Sequence, residues 1–445
     1  MTVRDLGAMP MAVDVVVCGA GVAGLATACA IGRLGLRVLL LDKQRERRPI
    51  AKGEVLQPGS LPILHDWNVL QGLQERDAVR LNRLVIREAD GTGLLDFDYG
   101  MLADGRAWML AHDYQVILDA LTDCLADTVQ WRRGVLVEGT IMDSAGRVAG
   151  VRVVEAGRRY EVRAPLVVGA DGMSSRLRKA AGITVNPIEY HHKLMSFDIS
   201  GIAEQDDEVA AYVTDRGLHL RYPLPGGRVR LYAEVSPDRL RVLGRAGLAE
   251  WIEGLLAEVP ALRPLGDPLR ASLDRRQILS VRRFTSPRLQ RPGLALVGEA
   301  VHAVHPMAAQ GMNSAIADAN ALAGCLAAAG SVDPESVDGA LRSYHDERIG
   351  LLHQIATMSH NATRMMTGTS RGGRMLGRRM LRGTAGNPRL RFLVTYNLSG
   401  LGMRPLGTTD RLYQVGLLPD RHAHQVPVVD WPAGLPSPMT PSVSQ

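Results

Sequence analysis

The sequence predicts an α/β fold in which a Rossmann-like domain with a parallel sheet is interleaved with a mostly antiparallel β-sheet domain and followed by C-terminal helices. Three observations support this prediction. An apolar run at 15–18 leads into a glycine-rich turn, an Ala-rich helical pattern and a second apolar run, which is the order of a βαβ unit. Apolar runs at 166–168 and 294–297 each lead into Gly and an acid. The segments 81–109 and 186–279 alternate apolar and polar residues, as antiparallel strands do.

The glycine-rich turn has the GxGxxG pattern of a dinucleotide-binding site. It comprises Gly19, Ala20, Gly21, Val22, Ala23 and Gly24. We expect Gly19 to permit the tight turn, Gly21 to let a pyrophosphate approach the backbone, and Gly24 to let the helix pack against the strand. Asp42 ends the second apolar run, where a carboxylate can accept hydrogen bonds from a ribose hydroxyl, and Lys43 beside it would suit a 2′-phosphate. The alternative is a Gly-rich turn in an ordinary βαβ unit.

Two further motifs lie downstream, LVVGADG at 166–172 and LVGEAVHAVHPMAAQGMN at 296–313. In this order and at these separations, the three motifs together resemble the FAD-dependent aromatic hydroxylase and epoxidase superfamily, which has the para-hydroxybenzoate hydroxylase fold. The resemblance implies that the first motif holds the ADP part of FAD. It also implies that Asp171 and Gly172 contact both FAD and the incoming nicotinamide cofactor, and that the third motif lies at the ribityl chain and flavin ring. The chain departs from the usual pattern at Glu299, where Asp is common, and at Ala309, where Gly is common.

The third motif also has a physical interpretation of its own. Gly298 and Glu299 end a strand, so the acid meets whatever binds at the carboxyl edge of the sheet. Pro306 keeps the preceding residue extended. A helix then opens with backbone N–H groups that can face an anionic reduced flavin ring; its first residues are Gln310, Gly311, Met312 and Asn313.

A fourth segment, KGEVLQPG at 52–59, looks like the corresponding segment of squalene epoxidases, and ubiquinone hydroxylases have a looser version of it. The resemblance implies that Lys52 approaches FAD phosphates or ribose and that Gln115 contacts FAD. The alternatives are a solvated lysine and a polar residue on the first turn of a helix. Leu136, in a predicted strand, completes the expected set of FAD-binding residues.

The resemblance implies an FAD-dependent monooxygenase in which NAD(P)H reduces the flavin and O₂ gives a flavin C4a-hydroperoxide that oxidises a lipophilic aromatic polyketide, quinone or isoprenoid. A phenol would need a base to remove its proton, but no catalytic residue can be assigned. His302 and His305 flank the third motif, and we interpret them as loop or helix-start residues. The predicted roof over the flavin contains further candidates for the pocket, which we interpret as core or surface residues: His191, His192, Tyr212, His219, Tyr222 and Tyr232. The alternatives are an FAD-dependent reductase of isoprenoid double bonds and a catalytically silent flavoprotein.

The composition is that of a globular enzyme, with 445 residues, 46% hydrophobic residues and a formal net charge of +6. We expect no membrane span and no metal site, and we interpret the four scattered cysteines as core residues of a cytoplasmic protein. The basic segment 364–391 has three interpretations: a solvated helix on a lid or subunit contact, a weak contact with an anionic membrane surface, or a nucleic-acid site. We favour the first and expect no nucleic-acid partner, because the chain has no recognition module. A monomer and a homodimer both remain open.

The interleaved motifs divide the chain into four predicted parts. The FAD-binding domain is predicted to be assembled from 1–80, 110–185 and 280–345. The substrate-binding domain is predicted to comprise 81–109 and 186–279. A helical region is expected at 346–418, followed by an extended tail at 419–445.

Overall fold

A computed structural model describes residues 8–47, 50, 52–102, 107–203, 206–367 and 370–427. The strands are β1 (Val15–Cys18), β2 (Val38–Asp42), β3 (Val55–Leu56), β4 (Val79–Leu81), β5 (Arg83–Glu88), β6 (Gly93–Asp98), β7 (Met109–Ala111), β8 (Val129–Arg133), β9 (Val135–Met142), β10 (Val148–Glu155), β11 (Arg158–Arg163), β12 (Leu166–Gly169), β13 (Ile188–Ser200), β14 (Glu208–Val213), β15 (Leu218–Leu224), β16 (Arg228–Val235), β17 (Gln277–Thr285), β18 (Gln290–Arg291), β19 (Leu294–Leu296) and β20 (His302–Ala303). The helices are α1 (Val22–Gly32), α2 (Leu61–Asp66), α3 (Val69–Gln74), α4 (Tyr114–Asp123), α5 (Arg176–Ala180), α6 (Pro237–Val242), α7 (Arg245–Glu258), α8 (Gly266–Ala271), α9 (Gly311–Ala329), α10 (Pro334–Met366), α11 (Arg371–Ala385), α12 (Pro388–Ser399) and α13 (Thr408–Gln414).

A six-stranded sheet in the order β18-β19-β12-β1-β2-β8 forms the centre of the first layer. Its strands pair in parallel except at the β18–β19 edge. Strands β1, β12 and β19 are short, apolar and buried throughout, as parallel strands covered on both faces must be. Helices α1 and α9 pack against each other, and β9, β10 and β11 form a separate antiparallel sheet. The predicted α/β fold with a Rossmann-like domain is therefore confirmed.

An eight-stranded sheet in the order β20-β17-β13-β16-β15-β14-β5-β6 forms the second layer. Its pairs are antiparallel except for β14 with β5. Alternating residues face two apolar clusters. One, which we call the front face, includes Leu194, Leu220, Tyr222 and Met307, and the other packs under α7 and α8. The alternation predicted the strands, but it did not predict the helices α6 to α8.

The C-terminal helices α10 to α13 follow, with α10 packed on α9 and α11 packed on β6. Strand β17 crosses the predicted domain boundary at 279/280, and the division into domains stays a prediction. Most of the predicted extended tail lies outside the described residues. Within the described part of the chain, no helix combines the length and the apolar character needed to cross a membrane.

Candidate active site

In the first glycine-rich turn, two glycines are packed tightly against the protein and the third borders free space. Gly19 has φ +106°, and a Cβ there would collide with the Ala170 carbonyl at the end of β12. A Cβ at Gly24 would collide with the Gly19 carbonyl. By contrast, a Cβ at Gly21 would approach only the Tyr114 hydroxyl, at 3.6 Å. Gly19 and Gly24 are thus needed for packing, whereas the space above Gly21 admits an anion at the start of α1.

Tyr114, the first residue of α4, lies at this helix terminus and was missed by sequence reasoning. Burial raises the pKa of its phenol, while Lys52 and the Val22 backbone N–H lower it. The phenol oxygen accepts from that N–H, so Tyr114 stands at the position where a pyrophosphate would meet the first turn. No motif identified this residue, although it directly precedes Gln115.

Lys52 and Glu299 meet although 247 positions separate them. The Lys52 Nζ atom lies 2.6 Å from Glu299 Oε2, and both side chains are partly exposed. Beside this ion pair, Gly53 has φ +71°, and a Cβ there would lie 3.2 Å from the Met312 Cβ. The structure therefore brings the 52–59 segment to the third motif, at the edge where β19 ends.

Asp171 and Gly172 follow β12 at the same edge. Asp171 Oδ2 accepts from the backbone N–H groups of Arg176 at 2.7 Å and Leu177 at 3.2 Å, which holds the first turn of α5. Its buried Oδ1 has no hydrogen-bond partner among the described residues. An oriented carboxylate with one oxygen left over suits a ligand hydroxyl or amide.

The start of α9 is held by side chains of the motif itself. Asn313 Oδ1 accepts from the Gln57 backbone N–H at 2.8 Å and the Ser60 hydroxyl at 2.7 Å. Gln310 Nε2 donates to the Leu398 carbonyl at 2.7 Å. These contacts use the side chains for the scaffold, so it is the backbone N–H groups of Gly311 and Met312 that remain to face a ligand. Ala309 has φ +48°, a left-handed conformation that explains why Gly is usual at this position.

Contacts between motifs bring the helix starts together. A Cβ at Gly298 would lie 2.6 Å from the Ala23 Cβ in the first turn of α1. The Gly298 backbone N–H donates to Asp318 Oδ2 at 3.1 Å, and Asp318 forms a buried ion pair with Arg348 at 2.9 Å. The ends of β1, β12 and β19 and the starts of α1 and α9 therefore meet at one edge, where ligands bind in open α/β sheets.

The remaining predicted residues lie at the periphery. Asp42 accepts from the Gln44 backbone N–H at 2.9 Å, and Lys43 is exposed. The Gln115 amide lies 3.4 Å from Asp119 Oδ1 on its own helix. Leu136 lies half-buried in β9 of the antiparallel sheet, opposite Val154. Pro306 is exposed in the loop before α9. Their roles toward a cofactor stay predictions.

A buried ion pair joins this site to the eight-stranded sheet. Glu54 is 2% exposed and receives two hydrogen bonds from Arg230, at 2.8 and 2.7 Å, and one from the Tyr222 hydroxyl at 2.9 Å. Burial raises the pKa of Glu54, although Arg230 and Tyr222 oppose the shift. Sequence reasoning did not single out Glu54, although an acid inside the 52–59 segment was visible.

Sequence reasoning also missed that His305, His192 and Glu234 lie in a row at the front face, of which His305 and His192 share a hydrogen bond. His305 Nε2 lies 2.9 Å from His192 Nε2, and His192 Nδ1 lies 3.3 Å from Glu234 Oε1. All three residues are less than 9% exposed, whereas His191 is exposed. His192 and His305 are 113 positions apart, and sequence gave no signal for this pairing.

Comparisons with known proteins place the chain in a family. Residues 12–359 match the model of the FAD binding domain. The chain is 31% identical over 309 residues to 6-methylpretetramide 4-monooxygenase of Streptomyces rimosus, covering 69% of this chain and 73% of that protein. It is 23% identical over 378 residues to squalene epoxidase 6 of Arabidopsis thaliana, covering 81% and 70%. The solved structure of p-nitrophenol 4-monooxygenase PnpA from Pseudomonas putida DLL-E4 has the same fold, with a TM-score of 0.74 and 20% identity, covering 89% and 100% of the two chains.

The fold and the edge site define an FAD-dependent oxidoreductase. More narrowly, the chain belongs to the FAD-binding-domain family and is an FAD-dependent monooxygenase of the hydroxylase and epoxidase type. The site fits the cofactor, since space lies above Gly21 at a helix start and a buried oxygen of Asp171 has no hydrogen-bond partner within the described part of the chain.

Proposed function

We propose that this protein is an NAD(P)H-using monooxygenase that hydroxylates or epoxidises a lipophilic small molecule. The observation that carries the proposal is the meeting of the α1 and α9 starts beneath the apolar front face of the eight-stranded sheet. When bound, FAD supplies the chemistry of electron transfer from NAD(P)H and of O₂ activation. The protein's own task is to bind, orient and exclude water.

The FAD would lie along the edge at which the motifs meet. The start of α1 would face its pyrophosphate above Gly21, beside the Tyr114 hydroxyl that accepts from the Val22 N–H, and Asp42 would accept from its ribose. Lys52 and Glu299, already paired, would serve its polar linker. The start of α9 would face the flavin ring, where the helix dipole favours the negative charge of the reduced ring. Asp171 would serve both FAD and the incoming nicotinamide cofactor.

The front face supports a lipophilic substrate. Apolar side chains from the sheet and from the loop before α9 form one cluster; its members include Leu194, Val209, Ala211, Leu218, Leu220, Tyr222, Tyr232 and Met307. A pocket between this face and the flavin would be dry, which protects a reactive oxidant from water. The relatives named above act, by their names, on a 6-methylpretetramide and on squalene.

Absorbance spectroscopy tests the function directly. The purified protein, reconstituted with FAD, is mixed with NADPH under nitrogen and then exposed to air. We expect the flavin spectrum to bleach and to return with oxygen. Reduction of an alkene without oxygen would favour the double-bond reductase instead, and a flavin that binds but never turns over would favour a silent flavoprotein. Failure to bind FAD at all would contradict the assignment of the site.

We further propose that α11, the helix within the basic segment 364–391, covers the edge of the eight-stranded sheet. Arg378 and Arg382 both contact Glu88 on β5, at 2.7 and 3.1 Å, and Arg374 contacts Asp215 at 3.0 Å. These arginines are therefore used within the protein. Sedimentation with phosphatidylglycerol vesicles at physiological salt should leave the protein in the supernatant; co-sedimentation would favour the membrane-surface interpretation.

A further inference from the structure

Strand β15 places a histidine in an otherwise apolar layer of the protein. Leu218 and Leu220 belong to the front-face cluster, so His219 between them points to the other face of the sheet. Its neighbours on the adjoining strands, Tyr212 and Ala233, belong to the cluster under α7. His219 is only 2% exposed, so its polar ring lies between the sheet and the helix, on the face opposite to the front face.

The ring of His219 has unused hydrogen-bonding capacity. Neither of its nitrogens has a hydrogen-bond partner within the described part of the chain. Burial, with a smaller effect from Arg216, lowers the pKa of the ring to about 4, so the imidazole is neutral near pH 7 and offers one N–H donor and one lone pair. Buried polar groups in folded proteins are nearly always hydrogen-bonded, which indicates that a partner from outside the chain belongs beside this ring.

A cavity of about 120 Å³ lies next to His219, between the ends of β15 and β16 and helix α7. One wall is apolar and consists of the buried side chains of Val235, Trp251 and Leu255. A cavity of this size is close to that needed for one six-membered ring. The space therefore combines a flat apolar wall with a polar group that has no partner among the described residues.

The rim of the cavity is positively charged. Arg216, in the turn between β14 and β15, and Arg239, on α6, are both exposed and line the opening. The Arg216 Nε atom lies 3.5 Å from Glu258 Oε2. Glu234, which is 8% exposed, is the second acid that lines the cavity. When Glu234 is protonated, the two arginines outweigh Glu258 by one positive charge, which favours an anionic ligand.

We propose that this cavity binds a small planar carboxylate whose six-membered ring carries a hydroxyl group. The ring would lie against Trp251 and Leu255, and its hydroxyl would form a hydrogen bond with a nitrogen of His219. The carboxylate would stand at the rim, where Arg216 and Arg239 donate charge-assisted hydrogen bonds. Because His219 faces away from the front face, this ligand is distinct from a substrate held over the flavin, and the site goes beyond the proposed function.

Glu234 makes the binding depend on pH. Burial raises the pKa of Glu234 to about 7, opposed by the Leu218 N–H that donates to its Oε2 at 3.0 Å. Above that pH its carboxylate repels the carboxylate of the ligand, and below it the repulsion disappears. The affinity should therefore rise as the pH falls through about 7, with uptake of a proton by Glu234.

Other charged or titratable groups face Glu234 from each element packed against it. Among them, His192 and His219 have pKa values lowered to about 4, mainly by burial, so neither histidine changes its charge between pH 6 and pH 8. The full set of these groups is His192, Arg216, His219, Arg239 and Glu258.

The test is a titration of ¹⁵N-histidine-labelled, FAD-loaded protein with 3-hydroxybenzoate, without NADPH and followed by NMR. The signal of His219 is identified as the one missing from His219→Leu. At pH 6 we expect this signal to shift and to saturate with a Kd below about 1 mM. Binding should be about fivefold weaker at pH 8, and about fivefold weaker for 3-hydroxybenzamide, which has the same shape but no charge.

Two variants assign the binding to this cavity. Arg239→Gln should weaken binding about fivefold, whereas Arg241→Gln is the matched control on the same helix, because Arg241 pairs with Asp238 and both are exposed. Glu234→Gln should bind 3-hydroxybenzoate equally well at pH 6 and pH 8, since the titrating acid is gone.

Three results would overturn the proposal. The first is a His219 signal that does not shift at about ten times the expected Kd, which would mean that the cavity holds only water. The second is equal affinity for the acid and the amide. The third is equal binding in Arg239→Gln and Arg241→Gln, which would place the ligand elsewhere in the protein. None of these measurements involves turnover, so the proposed function is tested separately.

Discussion

Gly21 and Asp171 show how atoms next to the backbone decide what a site can hold. Gly21 differs from the other two glycines of its motif because, among the described residues, a Cβ there would meet only the Tyr114 hydroxyl, at 3.6 Å, and no backbone atom. Asp171 uses one carboxylate oxygen for the scaffold, and its other oxygen has no partner among the residues that the structure describes. Both positions follow from local sequence motifs, so their importance is predictable from the chain alone. What each contacts is visible only in the fold.

Gly21→Val should give a folded protein that does not retain FAD, because the branched side chain would occupy the space of the pyrophosphate. The measurement is the ratio of flavin to protein absorbance after gel filtration, with circular dichroism to confirm folding. Gly139→Val on β9 is the control, since a Cβ there also meets one side-chain atom at 3.6 Å. A fully yellow Gly21→Val protein would contradict the site.

Asp171→Ala should raise the KM for NADPH and weaken FAD binding. It should also lower the stability of the protein. Loss of the two N–H contacts at α5 should cost about 1 kcal/mol. Asp333→Ala separates the two effects, because Asp333 accepts two backbone N–H bonds at the start of α10, each at 3.0 Å, away from the site. We expect similar losses in Tm for both variants, but altered cofactor kinetics only for Asp171→Ala. Unchanged cofactor kinetics in that variant would refute the role.

At the level of elements, sequence patterns predicted individual strands and missed contacts between residues that are far apart in the sequence. Strands β1, β12 and β19 were predictable because each is a short apolar run next to a glycine, and β2 because its apolar run ends in an acid. The helices α6 to α8 were missed, because the strands around them dominated the pattern of 186–279. The contacts of Glu54 with Arg230 and of His192 with His305 span 176 and 113 positions. No local pattern encodes such pairings, which arise only when the two sheets are assembled.

The Glu54–Arg230 ion pair should stabilise the contact between the FAD edge and the eight-stranded sheet. Arg230→Met leaves Glu54 charged and buried, which should destabilise the protein by about 3–5 kcal/mol. Adding Glu54→Gln should recover part of this loss, because the unpaired charge is removed. Urea unfolding, followed by both tryptophan and flavin fluorescence, measures the free energy of unfolding of each variant. Arg241→Met is the control: it removes the exposed ion pair with Asp238 and should change the free energy of unfolding little. Equal losses of stability in Arg230→Met and Arg241→Met would contradict this role of the Glu54–Arg230 pair.

For the whole molecule, we expect stability to fall at acid pH, because three buried histidines are neutral in the folded protein. His192, His305 and His219 are buried and neutral, with pKa values lowered mainly by burial to about 4, about 3 and about 4. An unfolded chain binds a proton at each of them below about pH 6.5, while the folded protein does not until pH is far lower. Stability from these groups is therefore present above pH 6.5 and is lost as the pH falls below it.

Glu234 opposes this trend, because its raised pKa of about 7 lets the folded protein bind one proton before the unfolded chain does. Between about pH 7.5 and 5 the unfolded chain gains about three protons at the histidines, while the folded protein gains about one at Glu234, so acid favours unfolding. We expect Tm to fall from pH 7.5 to pH 5 by an amount equivalent to a few kcal/mol, with FAD released in the same transition. His219→Asn, which removes one of the three histidines but lies outside the Glu234–His192–His305 row, should make the fall shallower. A Tm that is flat over this range would mean that these histidines bind protons as readily in the folded protein as in the unfolded chain, which would contradict the expected effect of their burial.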